Sequence, residues 1–142
     1  MKNPVLFYTS PGCSNCRKAR KWLDDNRIDY IEKNIFSNEL TEQEIKYLMA
    51  RCENGTEDII STRSKAYTSL KGSIEDMSVN ELTHFIQKNP SILKRPILLS
   101  SRNMAVGYDH DEITTMIPLE RRKDAARMRA AAQIQAEKSA RS

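Results

Sequence analysis

The apolar run Val5-Leu6-Phe7-Tyr8 breaks at Thr9-Ser10-Pro11-Gly12, and from Ser14 apolar residues recur at helical spacing, at Ala19, Trp22 and Leu23. The run is aromatic and β-branched and is bounded by Pro4 and a Ser-Pro-Gly turn, so it predicts a buried strand. Residues 14–26 predict a helix whose wet face carries Arg17, Lys18, Lys21, Asp24 and Asp25. A second strand is predicted around Tyr30-Ile31-Glu32-Lys33. Strand, helix and strand in such short succession imply a parallel pair joined by a right-handed crossover, and this excludes an all-helical or purely antiparallel fold.

The junction of the first strand and helix holds Cys13-Ser14-Asn15-Cys16. Backbone N–H groups and the positive end of the helix dipole stabilise a thiolate there. Arg17, Lys18, Arg20 and Lys21 lie in the next two turns and push the same way. The expected pKa of Cys13 therefore falls from about 8.5 towards roughly 7, with Cys16, one turn on, as the resolving thiol. Two other readings stand beside this redox dithiol: a zinc half-site and a pair of reduced structural thiols. Zinc needs about four ligands, and the remaining candidates, Cys52, His84 and His110, show no second paired spacing, so no metal is expected.

With 142 residues, 39% of them hydrophobic and 30% charged, the chain suffices for one globular core with appendages. No apolar run approaches the ~20 residues of a membrane span, and Asn3, Pro4, Ser10 and Pro11 interrupt any signal-peptide core. A cytoplasmic protein is expected, in which three cysteines are no disulfide framework. The net charge of +4 is that of the tail: from Leu119 onward seven Lys/Arg face three acids, and the preceding residues balance. Only the tail is a candidate for contact with nucleic acid or acidic partners.

Further along, Thr41-Glu42-Gln43-Glu44 reads as a capping box opening a helix with Ile45, Leu48, Met49 and Cys52 on its apolar stripe and Gly55 past its end after Asn54. On that stripe Cys52 reads as a buried inert thiol, with a third redox partner as the alternative. Tyr67 and Leu70 suggest a short helix. Ser78-Val79-Asn80-Glu81 is a second capping box, its helix carrying Leu82, Phe85 and Ile86 and stopping at Asn89-Pro90. His84 reads as a surface or rim histidine. Residues 95–99 and 104–108 predict an antiparallel hairpin across Ser101-Arg102-Asn103. Residues 109–117 predict a helix with Asp109 and Glu112 as a third capping box. The expected fold is α/β and thioredoxin-like: a mixed four-stranded sheet, β-α-β then β-β-α, with helices on its faces. This domain spans 1–118. The basic, Ala-rich tail, 119–142, has helix propensity but little to bury, so it is expected to be helical or partly disordered.

Tyr8-Thr9-Ser10-Pro11 followed by Cys13-Ser14-Asn15-Cys16-Arg17-Lys18-Ala19-Arg20 resembles the N-terminal signature of the Spx family, redox-responsive transcription regulators of low-GC Gram-positive bacteria within the arsenate reductase-like (ArsC) family. Residues 53–65, Leu93-Lys94-Arg95-Pro96-Ile97 and Val106-Gly107-Tyr108 resemble that group's central and C-terminal segments. The resemblance implies a cis peptide at Pro96 facing the thiols, and activity modulated by a Cys13–Cys16 disulfide. It implies binding to the C-terminal domain of the RNA polymerase α subunit with Gly55 at the interface, promoter DNA being reached through the polymerase. Turnover by the ClpXP protease with an adaptor is implied too, and no cofactor. Arsenate reductases of the wider family hold their oxyanion with three arginines. Two match Arg63 and Arg95, both candidates to stabilise a thiolate or anion; the third falls on Tyr108, which carries no charge. A regulator rather than an enzyme is therefore expected, with a thiol-dependent oxidoreductase as the alternative.

Overall fold

In the computed structural model, which describes residues 3–70, 72 and 74–141, the chain forms a four-stranded mixed sheet with helices on both faces. Met1, Lys2 and Ser142, the outermost residues of the two expected segments, and Lys71 and Ser73 lie outside the described residues. Strand β1 (Val5–Thr9) leads into helix α1 (Ser14–Asp25), which returns to β2 (Tyr30–Asn34). Helices α2 (Glu42–Ala50), α3 (Lys65–Thr68) and α4 (Val79–Lys88) follow, then β3 (Ile97–Leu99), β4 (Met104–Val106), α5 (His110–Ile113) and α6 (Leu119–Arg141). The sheet order is β2-β1-β3-β4, with β1 parallel to β2 and antiparallel to β3, and β3 antiparallel to β4. The expected fold class is observed.

Alternation along each strand divides the core. Val5, Phe7, Leu98 and Ala105 face one way and bury with Ala19 and Leu23 of α1 and Ile113 of α5. Tyr8, Ile97 and Leu99 face the other way and bury with Ile45 and Leu48 of α2 and Leu82 and Ile86 of α4. Strand β2 lies at the sheet edge, and its neighbouring residues take opposite duties. Glu32 pairs with Arg20 of α1 at 2.7 Å, and Lys33 pairs with Glu44 of α2 at 2.6 Å. Each helix is thereby fastened to the same edge strand from its own side, and charge at a strand edge discourages further strand addition.

Three local expectations are corrected. Helix α2 stops at Ala50, so neither Cys52 nor Gly55 belongs to it or caps it. The Asp58 carboxylate accepts from the Glu53 and Asn54 N–H groups, both at 3.0 Å, and this capture of backbone donors competes with further helix. At Thr41 the hydroxyl accepts from the Glu44 N–H at 3.0 Å, but Glu44 also holds Lys33 and accepts from the Tyr8 hydroxyl at 3.3 Å. Both arms of a capping box are present at Ser78 and Glu81. The helix expected over 109–117 is one α-turn, His110–Ile113, continued as a 3-10 turn. Asp109 caps it, while Glu112 accepts from the Val106 N–H at 3.4 Å.

The tail is helical from Leu119 to Arg141. Its root is held by Arg121, whose guanidinium donates to the Asn26 and Arg27 carbonyls just beyond the end of α1, and by Arg122, which donates to the Thr114 carbonyl at 2.6 Å. No helix among the described residues is long and apolar enough to cross a membrane.

Candidate functional site

Cys13 is the N-cap of α1, with extended backbone at φ −92° and ψ 108°, and its Sγ accepts from the Cys16 N–H at 3.0 Å. Sulfur occupies the position where a serine or aspartate oxygen ordinarily satisfies the open N–H groups of a helix. Cys13 and Cys16 are joined as a disulfide, with Cα atoms 5.1 Å apart. Cys13 is half-buried and Cys16 is 1% exposed. When the bond opens, one thiol meets solvent and the other is packed beneath it. Among the described residues no three His, Cys, Asp or Glu side chains converge as a metal site.

The cations read from the sequence do not all serve the thiols. Arg20 gives Nε and Nη2 to the two Glu32 oxygens, each at 2.7 Å, and Lys21 pairs with Asp25 at 2.8 Å. Two of the four charges are thus neutralised by local acids, while Arg17 and Lys18 are exposed. Glu32 also accepts from the Thr9 hydroxyl at 2.9 Å, and Thr9, the last residue of β1, is buried. The bidentate hold of Arg20 and the Thr9 bond keep the Glu32 carboxyl below the usual range. Sequence reading did not foresee that Glu32 would engage Arg20 and Thr9 beside the dithiol helix. The available signal was parity: Thr9 and Glu32 fall on the α1 face of their strands.

The Arg95–Pro96 peptide is cis and Pro96 is buried. Arg95 stacks its guanidinium 5.1 Å from the Phe36 ring centre, and its Nη1 is buried without a hydrogen-bond partner among the described residues. Burial lowers the Arg95 pKa from its ordinary value. The described contacts take Arg95 to Phe36 rather than to either cysteine. Arg63 is exposed in the turn before α3. Tyr108 packs against the cluster of Phe7, Leu98, Ala105 and Ile113. His84 is exposed, 3.6 Å from Glu42.

Gly55 stands exposed at the start of a 3-10 turn, Thr56–Asp58, and not at the end of α2. At φ 92° and ψ 179° it occupies a region open to glycine alone, and nothing lies within 4 Å of where a Cβ would be. Its requirement is conformational rather than steric. From this turn the chain runs to Ile60, which bridges Leu93, while the Lys94 N–H donates to the Ile59 carbonyl at 2.8 Å. The turn and the Arg95–Pro96 segment are therefore tied at one remove, through the bonds of Ile59 and Ile60 to Lys94 and Leu93. Both line an open groove of about 590 Å³ along β4, through Asn54 and Asp58 on one side and Arg95 and Gly107 on the other.

The ArsC family profile matches residues 8–116. The global transcriptional regulator Spx of Streptococcus pneumoniae is 42% identical over 129 residues, covering 89% of this chain and 97% of that protein. The global transcriptional regulator Spx 1 of Oceanobacillus iheyensis is 46% identical over 114 residues, covering 80% and 87%. Among solved structures, an ArsC family related protein from Bacteroides fragilis matches with a TM-score of 0.68 at 28% identity, covering 79% of this chain and 96% of that one. A Cys-x-x-Cys pair at the start of the first helix of this fold, together with identity of this extent, leads to one assignment: the chain belongs to the ArsC family and, within it, to the Spx group.

Proposed function

We propose that this protein is a cytoplasmic transcription regulator that binds the C-terminal domain of the RNA polymerase α subunit and is switched by the Cys13–Cys16 disulfide under thiol stress. The observation that carries the reading is the pairing of a reachable Cys13, seated on the start of α1, with Cys16 buried one turn along. An oxidant meets Cys13 first, and Cys16 closes the bond. The regulators at 42% and 46% identity support the transcriptional half of the proposal. The α-domain contact is assigned to the exposed turn at Gly55, rimmed by Arg51, Glu53, Glu57 and Asp58. Backbone bonds from Ile59 and Ile60, just past the turn, to Lys94 and Leu93, just before Arg95–Pro96, offer a route between turn and thiols. Arg95 and Arg63 are assigned to anion or thiolate stabilisation in the reduced state. Promoter DNA is met through the polymerase, with the basic helix α6 as an aid. ClpXP and an adaptor set the protein's level.

Turnover as an arsenate reductase is disfavoured by Tyr108, an uncharged residue that packs on the core where the third anion-holding arginine would stand. The deciding experiment is isothermal titration of the α domain against reduced wild type, oxidised wild type and Cys13→Ser. A difference between the two wild-type states, absent when Cys13→Ser is taken through the same treatments, is expected. Equal affinity throughout overturns the switch. The Gly55 contact is tested by comparing Gly55→Ala with Gly55→Arg. Both carry the same backbone penalty of about 1 kcal/mol or more, so loss of α-domain binding in the arginine variant alone isolates a clash within the complex. Retained binding by Gly55→Arg removes the interface assignment.

A further inference from the structure

Arg20 lies four residues beyond Cys16, hence on the same face of α1 and one turn along, where Cβ atoms stand about 5–6 Å apart. It is the cation of the helix one turn beyond the buried thiol, yet the Nε and Nη2 donors of its fork are occupied by Glu32 and its guanidinium lies 5.9 Å from the Phe7 ring centre. Glu32 in turn holds Thr9, and the Thr9 carbonyl accepts from the Ile35 N–H at 2.9 Å, so the strand end that launches the dithiol turn is fastened to β2 through side chain and backbone. The Arg20 and Glu32 side chains are 36% and 31% exposed, which leaves the pair less screened than a fully solvated one.

We propose that Glu32 is a counter-charge that cancels the effect of Arg20 on the redox poise of the Cys13–Cys16 couple, withholding Arg20 from the thiols. This rests on the switch reading above. The oxidation concerned is ordinary exchange with a small-molecule disulfide, RSSR. The Cys13 thiolate attacks one sulfur and expels RS⁻. Cys16 then loses its proton to solvent and attacks the Cys13 sulfur, expelling the second RS⁻. The pair gives up two electrons and RSSR takes them. A positive charge near the thiols favours the thiolate and therefore the reduced side, and a carboxylate favours the disulfide. The wild-type pair contributes nearly equal and opposite effects. Glu32 is well suited to this, because Arg20 and Thr9 keep it ionised. Arg20 and Glu32 are positioning residues: neither touches the sulfurs in the described contacts.

The test is the equilibrium constant of the couple in glutathione redox buffer at pH 7, read by alkylation and mass spectrometry. Glu32→Gln frees Arg20 and is expected to shift the equilibrium towards the dithiol. Arg20→Gln leaves a lone carboxylate and is expected to shift it towards the disulfide. Each shift should be about threefold, or about 14 mV at 29.6 mV per tenfold change. The double variant Arg20→Gln/Glu32→Gln should return close to wild type, and Arg20→Lys, which keeps the charge, should remain there. Opposite signs are the signature, since a mere fastening of α1 to β2 is lost in the same sense by either single variant. No shift, or shifts of one sign, overturns the proposal while wild-type redox-dependent α-domain binding stands. If wild type forms no disulfide with oxidised glutathione, the switch reading falls first and this one with it.

Discussion

Cys13 and Cys52 sit at opposite ends of two helices, and those ends have opposite polarity. Cys13 caps the start of α1 and receives an N–H; Cys52 lies just beyond the end of α2 and donates its S–H to the Leu48 carbonyl at 3.3 Å. The first environment offers hydrogen bonds to a thiolate, the second to a thiol. Burial, and then the Asp58 carboxylate, push the Cys52 thiol up to about 11. The two cysteines thus meet helix ends of opposite polarity, which favours a thiolate at Cys13 and a thiol at Cys52. The lesson concerns reading cysteines: the backbone polarity around the sulfur must be read together with its burial and nearby charge, since both residues are half-buried yet meet opposite helix ends.

The strongest way to break this contrast is to label the reduced protein with iodoacetamide at pH 7. A Cys13 pKa near the expected ~7 against about 11 for Cys52 differs by some 10³ to 10⁴ in thiolate fraction, partly offset by the lower nucleophilicity of the more acidic thiolate. Cys13 should be modified about 10²-fold faster, as read by a mass-spectrometric time course. Comparable rates would end the distinction.

A smaller effect concerns alkaline stability, measured on the oxidised protein so that Cys13 and Cys16 do not titrate. The folded pKa of Cys52 lies above its unfolded value, so between about pH 8.5 and 11 the folded state binds more protons and stability falls as pH rises. The melting temperature should decline over pH 8.5–10, and Cys52→Ser should flatten that slope. Tyr8, raised by burial and by Glu44, adds its own loss in the same direction only at higher pH. An identical slope in Cys52→Ser would remove the assignment.

The smallest effect is expected from Asp58→Asn, which keeps an oxygen for the Glu53 and Asn54 N–H groups and removes the charge beside Cys52. Cys52 labelling should rise two- to threefold, roughly the effect of a few tenths of a pKa unit, and the melt should show a loss of about 1 kcal/mol or less. Unchanged labelling would leave burial as the sole cause.

What the sequence revealed was whatever depends on neighbours along the chain. The strand-helix-strand opening, the hairpin from Ile97 to Val106 and the Ser78 capping box follow from periodicity and turn chemistry, and each is present. The dithiol and its helix start were legible for the same reason. The departures come from partners remote in sequence. Lys33 and Tyr8 engage Glu44, Glu32 engages Arg20, and Phe36 lies under Arg95. None of these pairings is written in spacing, since each depends on how the sheet brings β1, β2 and β3 together. The fate of a charge is a tertiary fact even where the fate of an apolar side chain is a local one.

The order of the sheet also has a consequence for how the chain is made. Strand β1 takes one neighbour, β2, from close by, but pairs on its other side with β3, Leu6 standing opposite Leu99. On a ribosome the first half-sheet can assemble early, whereas its second partner emerges after roughly 60 further residues, or about 3–12 s at 5–20 residues per second. During that interval the inner edge of β1 is an unpaired edge, with Val5, Phe7 and Tyr8 beside it. Synthesis speed between β2 and β3, rather than final stability, then governs how long the nascent chain is prone to aggregate.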